Sequence, residues 1–427
     1  MERAVIKDEK LNEKYIKLKH KTGLTVLLYP MEGYSTSTAI FATKYGSIDR
    51  TFKKSTSPEF TTVPDGIAHY LEHKLFENED GVDTFELFSK TGASANAYTS
   101  FDRTAYYFSC MDNFDESLKI LLNFVQKPYF TDETVQKEQG IIGQEIKMYE
   151  DDADWRVFFN CLENMYHNVA VNVNIAGTVE SISKIDKEVL YKCYNTFYNM
   201  NNMVLAIAGS FDVDSVINII NSEIKDNSPV EIERKVESEP NNVVRSISEI
   251  SLPVSMPQFC IGYKLNAFSG LEMVKEEMIY QLICELLIGE GSEFYKDLYD
   301  SGLVAGGNVS YEVFCGEGFF SLIFSGESSS PKEVLSKLNY EIERKIKTGF
   351  EKAEVERVKN ALYGYCIGCF NSPNSVAKEA LNSFIFNYDI YDKLKILEEV
   401  NAEDINNKLK LINIDNSTLS IVSPLKN

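Results

Sequence analysis

The segment His69-Tyr70-Leu71-Glu72-His73 carries the strongest structural and chemical signal in this sequence. It lies within residues 65–77, where apolar residues recur with helical spacing, so the stretch predicts an α-helix. Side chains four residues apart lie one turn apart on one helical face, and both imidazoles can therefore reach one ion. Glu72 projects beside them. The chain has only 4 histidines, and two of them are in this segment.

The spacing His-x-x-Glu-His is the inverted form of the zinc-peptidase motif. Neutral imidazoles suit zinc, and a catalytic zinc keeps one position open for the water that attacks a carbonyl. Such a site needs a third protein ligand, commonly a carboxylate. A second predicted helix, residues 131–149, offers Glu138 and Glu145, two turns apart on one face. The alternative interpretation is two surface histidines and an unrelated solvated acidic stripe.

Two glycines, Gly140 and Gly143, fall in the interior of this second predicted helix. Each costs about 1 kcal/mol relative to alanine in such a position. Their presence predicts close approach by another helix, and the helix that carries the histidines is the natural candidate.

Composition limits the class of protein. The 427 residues are 44% hydrophobic and 25% charged, which is typical of a globular chain with more than one domain. The net charge of −21 repels phosphate backbones, so we expect no nucleic-acid partner. No apolar stretch is long enough to span a membrane, and the first residues lack the apolar core of a secretory signal. We therefore expect a cytoplasmic protein without a membrane span, whose 8 irregularly spaced cysteines are thiols.

The pattern of predicted elements repeats once along the chain. In the first half, three strands predict an antiparallel meander, namely 15–20, 24–29 and 36–45. The motif helix, two strands and two consecutive helices follow. The second half has the same order, with a helix at 271–288, strands at 304–312 and 318–325, and helices at 331–348 and 353–370.

This repetition predicts an α+β fold of two homologous sheet-and-helix domains of about 200 residues each. Residues 1–225 would form the N-terminal zinc-binding domain and residues 243–427 a C-terminal domain without metal. The polar segment 226–242 lacks periodicity and is interpreted as a linker.

The motifs together resemble the pitrilysin and insulinase family of zinc peptidases, which includes the mitochondrial processing peptidases. The resemblance rests on His69-x-x-Glu72-His73-x-x-Phe76, on Glu138 and Glu145 about seventy residues later, and on the segment between them. That segment reads Gly92-Ala93-Ser94-Ala95-Asn96-Ala97-Tyr98-Thr99-Ser100, followed by Thr104-x-Tyr106. The resemblance extends over essentially the whole chain and is strongest from about residue 36 to residue 210.

The resemblance implies one Zn²⁺ per chain, bound by His69, His73 and Glu145. It implies Glu72 as general base and Glu138 as a supporting carboxylate, and the choice of Glu145 over Glu138 as the ligand rests on the family alone. Family members bind peptide substrates as an added strand, which makes Ala95, Asn96, Ala97 and Tyr98 the expected docking edge. The implied activity is metal-assisted endopeptidase hydrolysis of peptides or small unfolded precursors.

One departure from the family pattern concerns a partner. Catalytic family members that work alone or as homo-oligomers usually carry an Arg and a Tyr in their second half, in a stretch resembling Leu-Arg-x-x-x-Gly-Leu-x-Tyr. Here neither residue is in place in the comparable stretch, Leu298 to Ala305, and whether Tyr311, six residues beyond its end, replaces the tyrosine stays open. We therefore expect a zinc-bearing subunit of a heterodimer, whose homologous partner lacks the zinc motif but carries the Arg-Tyr pair. A homodimer stays open.

Two other functions stay open as alternatives. The first is a non-catalytic scaffold subunit of the same fold, although the intact zinc motif argues against it. The second is a thiol oxidoreductase centred on Cys366-x-x-Cys369. That motif lacks a second Cys-x-x-Cys and a thioredoxin-like context, which favours structural thiols.

Overall fold

The computed structural model describes residues 2–307 and 309–426 of the chain. Its strands, β1 to β15 in order, are Glu2–Asp8, Glu13–Lys19, Thr25–Pro30, Ser37–Thr43, Thr51–Lys54, Thr61–Thr62, Ser94–Thr99, Thr104–Cys110, Met203–Gly209, Ile232–Arg234, Ile247–Leu252, Gln258–Lys264, Ser310–Gly316, Phe319–Glu327 and Ser417–Pro424.

The α-helices, α1 to α15 in order, are Ile67–Leu75, Thr84–Thr91, Phe114–Val125, Asp132–Asp151, Ala153–Met165, Val179–Ile182, Lys187–Phe197, Val213–Glu223, Gly270–Ile288, Glu293–Ser301, Pro331–Thr348, Lys352–Cys369, Pro373–Phe386, Asp392–Glu399 and Ala402–Leu409. Short 3₁₀ turns occur at Ala170–Asn172, Met200–Asn202 and Ala305–Gly307. Within the described ranges, no helix is both long and apolar enough to cross a bilayer.

The described chain divides into two compact units, and each is discontinuous in sequence. Unit 1 contains the described residues of Met1–Ile146, Asn174–Lys235 and Gly368–Ile390. Unit 2 contains those of Lys147–Val173, Val236–Ile367 and Tyr391–Asn427. Each unit therefore includes a segment from the opposite half of the sequence. The domain boundaries expected from the sequence are continuous and do not include this exchange.

Unit 1 is built on a seven-stranded sheet in the order β1-β2-β3-β9-β4-β8-β7. The expected meander of the first strands is wrong, because β9 lies between β3 and β4. It pairs parallel to β3 and antiparallel to β4. Every residue of β9 is buried, and a wholly apolar strand is most stable at the centre of a sheet. A small sheet in the order β10-β5-β6 completes the unit.

Unit 2 is built on a five-stranded sheet in the order β11-β15-β12-β14-β13. The strand expected at 304–312 begins only at Ser310. Gly306 and Gly307 have φ values of 68° and 71°, and this left-handed backbone cannot continue a strand. The preceding residues form a 3₁₀ turn instead.

The exchanged segments are helices that pack on the main sheet of each unit. Helix α13 packs on β4 and β9 in unit 1, and α5 packs on β12 and β15 in unit 2. The contacts of α13 include Lys44, whose Nζ lies 4.4 Å from the centre of the Phe384 ring. A helix from the far half of the sequence is therefore part of each core.

The two units repeat the same order of elements, as the sequence predicts. The series α1-α2-β7-β8-α3-α4 in the first half corresponds to α9-α10-β13-β14-α11-α12 in the second. This repeated order of helices and strands confirms the predicted α+β fold with two related halves.

Candidate metal centre

The motif helix α1 begins where only glycine fits. Gly66 has a φ of 90°, and a Cβ there would lie 2.4 Å from the carbonyl oxygen of Ala176. Gly177 packs against it from the facing segment, and the Ser181 hydroxyl donates a 2.8 Å hydrogen bond to the carbonyl of Asp65. The start of α1 is thus packed against the backbone of residues 176–177, and this contact fixes the position of its first turn.

The two sides of α1 have different roles. Ile67, Ala68, Leu71 and Leu75 are buried in the core, as the helical spacing predicts. Just past the end of the helix, the Phe76 ring stacks on Phe85 with centroids 4.5 Å apart and also contacts Tyr106 and Phe124. This apolar packing fixes the direction in which the polar side of the helix points.

Helix α4 supplies the two carboxylates. Its buried residues, Val135, Glu138, Ile142 and Ile146, follow helical spacing, so Glu138 occupies a core-facing position. Tyr70 of α1 donates a hydrogen bond to the backbone carbonyl of Val135, which ties the two helices together. The expected close approach at Gly140 and Gly143 is wrong, because a Cβ at either position would meet nothing within 4 Å.

Three of the residues singled out from the sequence converge on one point. Nε2 of His69 lies 3.6 Å from Oε1 of Glu145, and Nε2 of His73 lies 3.6 Å from the other oxygen of the same carboxylate. One ligand atom of each residue lies within 4.8 Å of the other two. In the described part of the chain, this is the group of His, Cys, Asp and Glu side chains close enough to share a metal ion.

The spacing fits a tetrahedral zinc ion. Ligand atoms about 2.1 Å from zinc are separated from one another by about 3.4 Å, close to the distances observed here. Two imidazole nitrogens and one carboxylate form one of the usual donor sets of a catalytic zinc. The residues present therefore fit the metal that the motif implies.

The surroundings give the two histidines different proton affinities. Burial lowers the pKa of His69 to about 4, and the nearby His73 adds to the effect, so His69 is neutral at pH 7. Burial alone would also lower the pKa of His73. The hydrogen bond to Glu138 and the charges of Glu72 and Glu145 outweigh burial and raise it above its usual value.

Glu138 touches the cluster through His73. Its Oε1 lies 2.9 Å from Nδ1 of His73, and this contact leaves Nε2 of the same ring to face Glu145. The pKa of Glu138 is lowered, because the interaction with His73 and the charge of Lys74 exceed the opposing effect of burial. On His69, by contrast, Nδ1 is buried with no hydrogen-bond partner among the described residues.

Glu72 lies beside the cluster on the same helix. Only 8% of its surface is exposed, and this burial raises the pKa of its carboxyl group. The hydroxyl of Thr99 donates a 2.6 Å hydrogen bond to its Oε2. Thr99 lies within the segment quoted above but received no role from sequence reasoning, since a single threonine in a strand gives no separate signal.

The expected docking segment lies on β7, an edge strand of the seven-stranded sheet. Ala95, Asn96, Ala97 and Tyr98 pair on one side with β8. The backbone N–H of Ala97 donates a 2.8 Å hydrogen bond to the side chain of Asn96, so this donor is not used in the sheet. The helix α1 packs against β7, which places the edge strand next to the cluster.

Unit 2 has a pocket of about 200 Å³ on the elements that correspond to this site. It is lined by residues of α9, β13 and α12, including Glu285, Tyr311 and Arg357. The hydroxyl of Tyr311 donates a 3.2 Å hydrogen bond to Glu285. The corresponding helix α9 contains no histidine, so it lacks the donors found on α1.

The cysteines form no disulfide, as expected from the sequence; all eight lie in the described ranges. Cys366 and Cys369 are half-buried near the end of α12. Neither belongs to the group of potential metal ligands found in the described residues.

Comparison with known proteins agrees with this geometry. A family model described as "Insulinase (Peptidase family M16)" matches residues 61–179, and one described as "Peptidase M16 inactive domain" matches residues 184–362. The Bacillus subtilis protein YmfH, described as an uncharacterized zinc protease, is 40% identical over 416 residues, which is 95% of each chain. The beta subunit of the mitochondrial-processing peptidase of Caenorhabditis elegans is 25% identical over 53% of this chain and 49% of its own.

Among solved structures, an M16-like peptidase from Alicyclobacillus acidocaldarius superimposes with a TM-score of 0.92 at 33% identity, covering 100% of this chain and 99% of the other. These relatives support a peptidase function. The chain belongs to the insulinase family of peptidases, family M16.

Proposed function

We propose that this protein is a zinc-dependent endopeptidase that hydrolyses peptides or small unfolded precursors. The observation that carries the proposal is the convergence of His69, His73 and Glu145 with Glu72 beside them. In this proposal the first three residues bind one Zn²⁺ per chain. When bound, the zinc ion acts as a Lewis acid that polarises the scissile carbonyl and lowers the pKa of a water molecule.

The residues of the chain supply the proton transfers and the orientation. Glu72 takes the proton of the attacking water and passes it to the leaving amine, a role that suits a carboxylate whose pKa burial has raised. Glu138 fixes the ring of His73 through Nδ1, and this orients Nε2 toward the ion. Glu72 therefore acts on the water, and Glu138 acts on the metal ligand His73.

The peptide would bind along the open edge of β7, at Ala95 to Tyr98. Pairing through the main chain makes recognition tolerant of sequence, since it uses groups that every peptide carries. In the absence of peptide, Asn96 accepts the hydrogen bond of the Ala97 N–H. Substrate binding would replace this side-chain acceptor with a peptide carbonyl.

A second subunit would complete the substrate site. In the stretch Leu298–Ala305 the Arg and the Tyr of the self-sufficient family pattern are not in place, and Tyr311 is hydrogen-bonded to Glu285. A homologous chain that carries the pair is the expected partner, with a homodimer as the alternative. That a relative is named as the beta subunit of a peptidase supports this assignment. A cytoplasmic location stays a prediction.

The test is hydrolysis of a quenched fluorescent peptide library by the purified chain with zinc. The chain is assayed alone and mixed with a homologous partner chain, each with and without a chelator. We expect activity in the mixture that the chelator abolishes. Activity of this chain alone would remove the need for a partner. Inactivity in every mixture would favour the scaffold function, which the inactive-domain match over residues 184–362 leaves open.

A further inference from the structure

The hydroxyl of Thr99 has one proton and two acceptors within reach. Oε2 of Glu72 lies 2.6 Å away and Oγ1 of Thr104 lies 3.4 Å away. The shorter distance is typical of a hydroxyl that donates to a carboxylate, and such bonds are about twice as strong as neutral ones. Thr104 in turn donates its own proton to the carbonyl of Tyr45 at 2.9 Å. Because an ionised carboxylate can only accept, the 2.6 Å contact with Glu72 uses the proton of Thr99.

The two oxygens of Glu72 are thereby made unequal. Oε2 accepts the hydrogen bond from Thr99, whereas Oε1 accepts none from the described residues. Oε1 is not fully buried either, so solvent can reach it. A carboxylate otherwise rotates freely about its last torsion, for which glutamate has only a broad preference. The hydrogen bond removes this freedom.

The position of Thr99 on β7 explains how it reaches α1. Side chains alternate across a strand, so Ala95, Ala97 and Thr99 lie on one face, and Ser94 and Asn96 lie on the other. The first face is half-buried and includes the contact with Glu72, whereas Ser94 and Asn96 are exposed. Small alanines at the other two positions of the inner face leave room for the helix.

We infer that Thr99 is a positioning residue, which holds Oε2 of Glu72 so that Oε1 receives the proton of the attacking water. The inference rests on the proposed function of Glu72 as general base. It also joins two parts of the site, because the strand expected to hold the peptide is the strand that holds the base. The peptide backbone and the proton acceptor are then kept in register by one continuous segment.

Three variants test this inference. Thr99→Val keeps the shape of the side chain and removes the hydroxyl, whereas Thr99→Ser keeps the hydroxyl. Thr38→Val is the matched control, since it removes a hydroxyl that forms a 2.8 Å hydrogen bond with Ser109 in the same sheet and does not touch Glu72. For each we would measure kcat and KM on a cleaved peptide in the active assembly, zinc content, the unfolding midpoint, and the orientation of the Glu72 carboxylate in a crystal structure.

We expect Thr99→Val to lower kcat about 10- to 100-fold, because misplacement of a reacting group by about 1 Å has effects of this size. KM should change less than about twofold, zinc content should stay the same, and the Glu72 carboxylate should rotate. Thr99→Ser should restore most of kcat and the orientation. Thr38→Val should leave kcat unchanged even where the unfolding midpoint falls.

An unchanged kcat in Thr99→Val, or a loss that Thr99→Ser fails to restore, would overturn the inference. A wild-type chain that is inactive with every partner would instead contradict the proposed function. The crystal structures then decide the positioning role separately: a Glu72 carboxylate with the same orientation in wild type and Thr99→Val rejects it, and a rotated one supports it.

Discussion

Nδ1 of His73 lies 2.9 Å from Oε1 of Glu138, although the two residues are 65 positions apart in the sequence. This contact links the helix that carries the histidines to the helix that carries both carboxylates. It also distinguishes two glutamates that the sequence presents as equivalent, since Glu145 faces Nε2 of both rings and Glu138 faces only Nδ1 of one.

Replacement of Glu138 should weaken metal binding without removing a ligand. In Glu138→Gln the hydrogen bond to His73 loses its charge, and partners of this kind commonly contribute a factor of about 10 to 100 in metal affinity. Competition with a chromophoric chelator would measure the zinc affinity. Glu133→Gln, on the exposed side of the same helix, is the control. Equal affinities in the two variants would show that Glu138 does not support the ligand.

Replacement of Glu72 should separate metal binding from turnover. Glu72→Gln retains the shape of the side chain but cannot accept the proton, so we expect kcat to fall about 10²- to 10⁴-fold while zinc content stays the same. Metal analysis and peptide hydrolysis would be measured on the same preparation. Glu86→Gln on α2, an exposed position, provides the matched substitution. Full activity in Glu72→Gln would assign the base to another residue.

The start of the motif helix should tolerate no side chain. Gly66→Ala places a methyl group against the carbonyl of Ala176 and strains a positive φ, whereas Gly92→Ala strains a similar φ of 78° with nothing within 4 Å. The comparison isolates the steric clash from backbone strain. We expect Gly66→Ala to reduce the free energy of unfolding by about 2 kcal/mol more than Gly92→Ala does. Urea titration would measure the difference, and equal losses would indicate that the segment around Ala176 can move.

Unit 2 contains an ion pair between buried Lys264 and half-buried Glu239, and its contribution to stability should depend on pH. Glu239 accepts hydrogen bonds from the backbone N–H groups of His167, Asn168 and Val169 and from Nζ of Lys264 at 2.6 Å. Burial opposes ionisation, but these hydrogen bonds prevail and lower the pKa of Glu239 below its usual value. The folded state therefore binds the proton less readily than the unfolded state does.

It follows that Glu239 stabilises the fold fully above its unfolded pKa of about 4.3 and loses this effect as the pH falls through its lower folded value. Glu239→Gln should reduce the free energy of unfolding at pH 7 by about 1–3 kcal/mol. The gap between wild type and variant should shrink at lower pH, as urea titrations at several pH values would measure. A gap that is constant with pH would mean that the charge of Glu239 contributes nothing.

The motif helix and the side chains that it brings together could be predicted from sequence because the information is local. The positions of His69, Glu72 and His73 follow from helical spacing alone, and Glu138 and Glu145 follow from a second helix of the same kind. Which of the two glutamates faces both histidines depends on how α4 packs on α1. That packing is set by distant contacts, such as the one between Tyr70 and the Val135 carbonyl, which no spacing reveals.

The parts of the fold that escaped prediction depend on pairing between distant segments. Glu2–Asp8 mixes charged and apolar residues and is largely exposed, so β1 has no alternation to detect. The strand Met203–Gly209 lies beside β4 in the sheet, although about 160 residues separate the two strands in the sequence. Local periodicity identifies such strands but contains no information on their order in a sheet.

Helix α13 has a consequence for how the protein is made. During synthesis, the seven strands of the larger sheet are complete once Gly209 has left the ribosome, yet the helix that covers β4 and β9 ends only at Phe386. At elongation rates of about 5–20 residues per second, roughly 10–35 s separate the two events. Throughout that interval the nascent sheet has an uncovered apolar face, a surface that holding chaperones recognise, and the unit that contains the candidate metal centre becomes fully native only when nearly the whole chain has been translated.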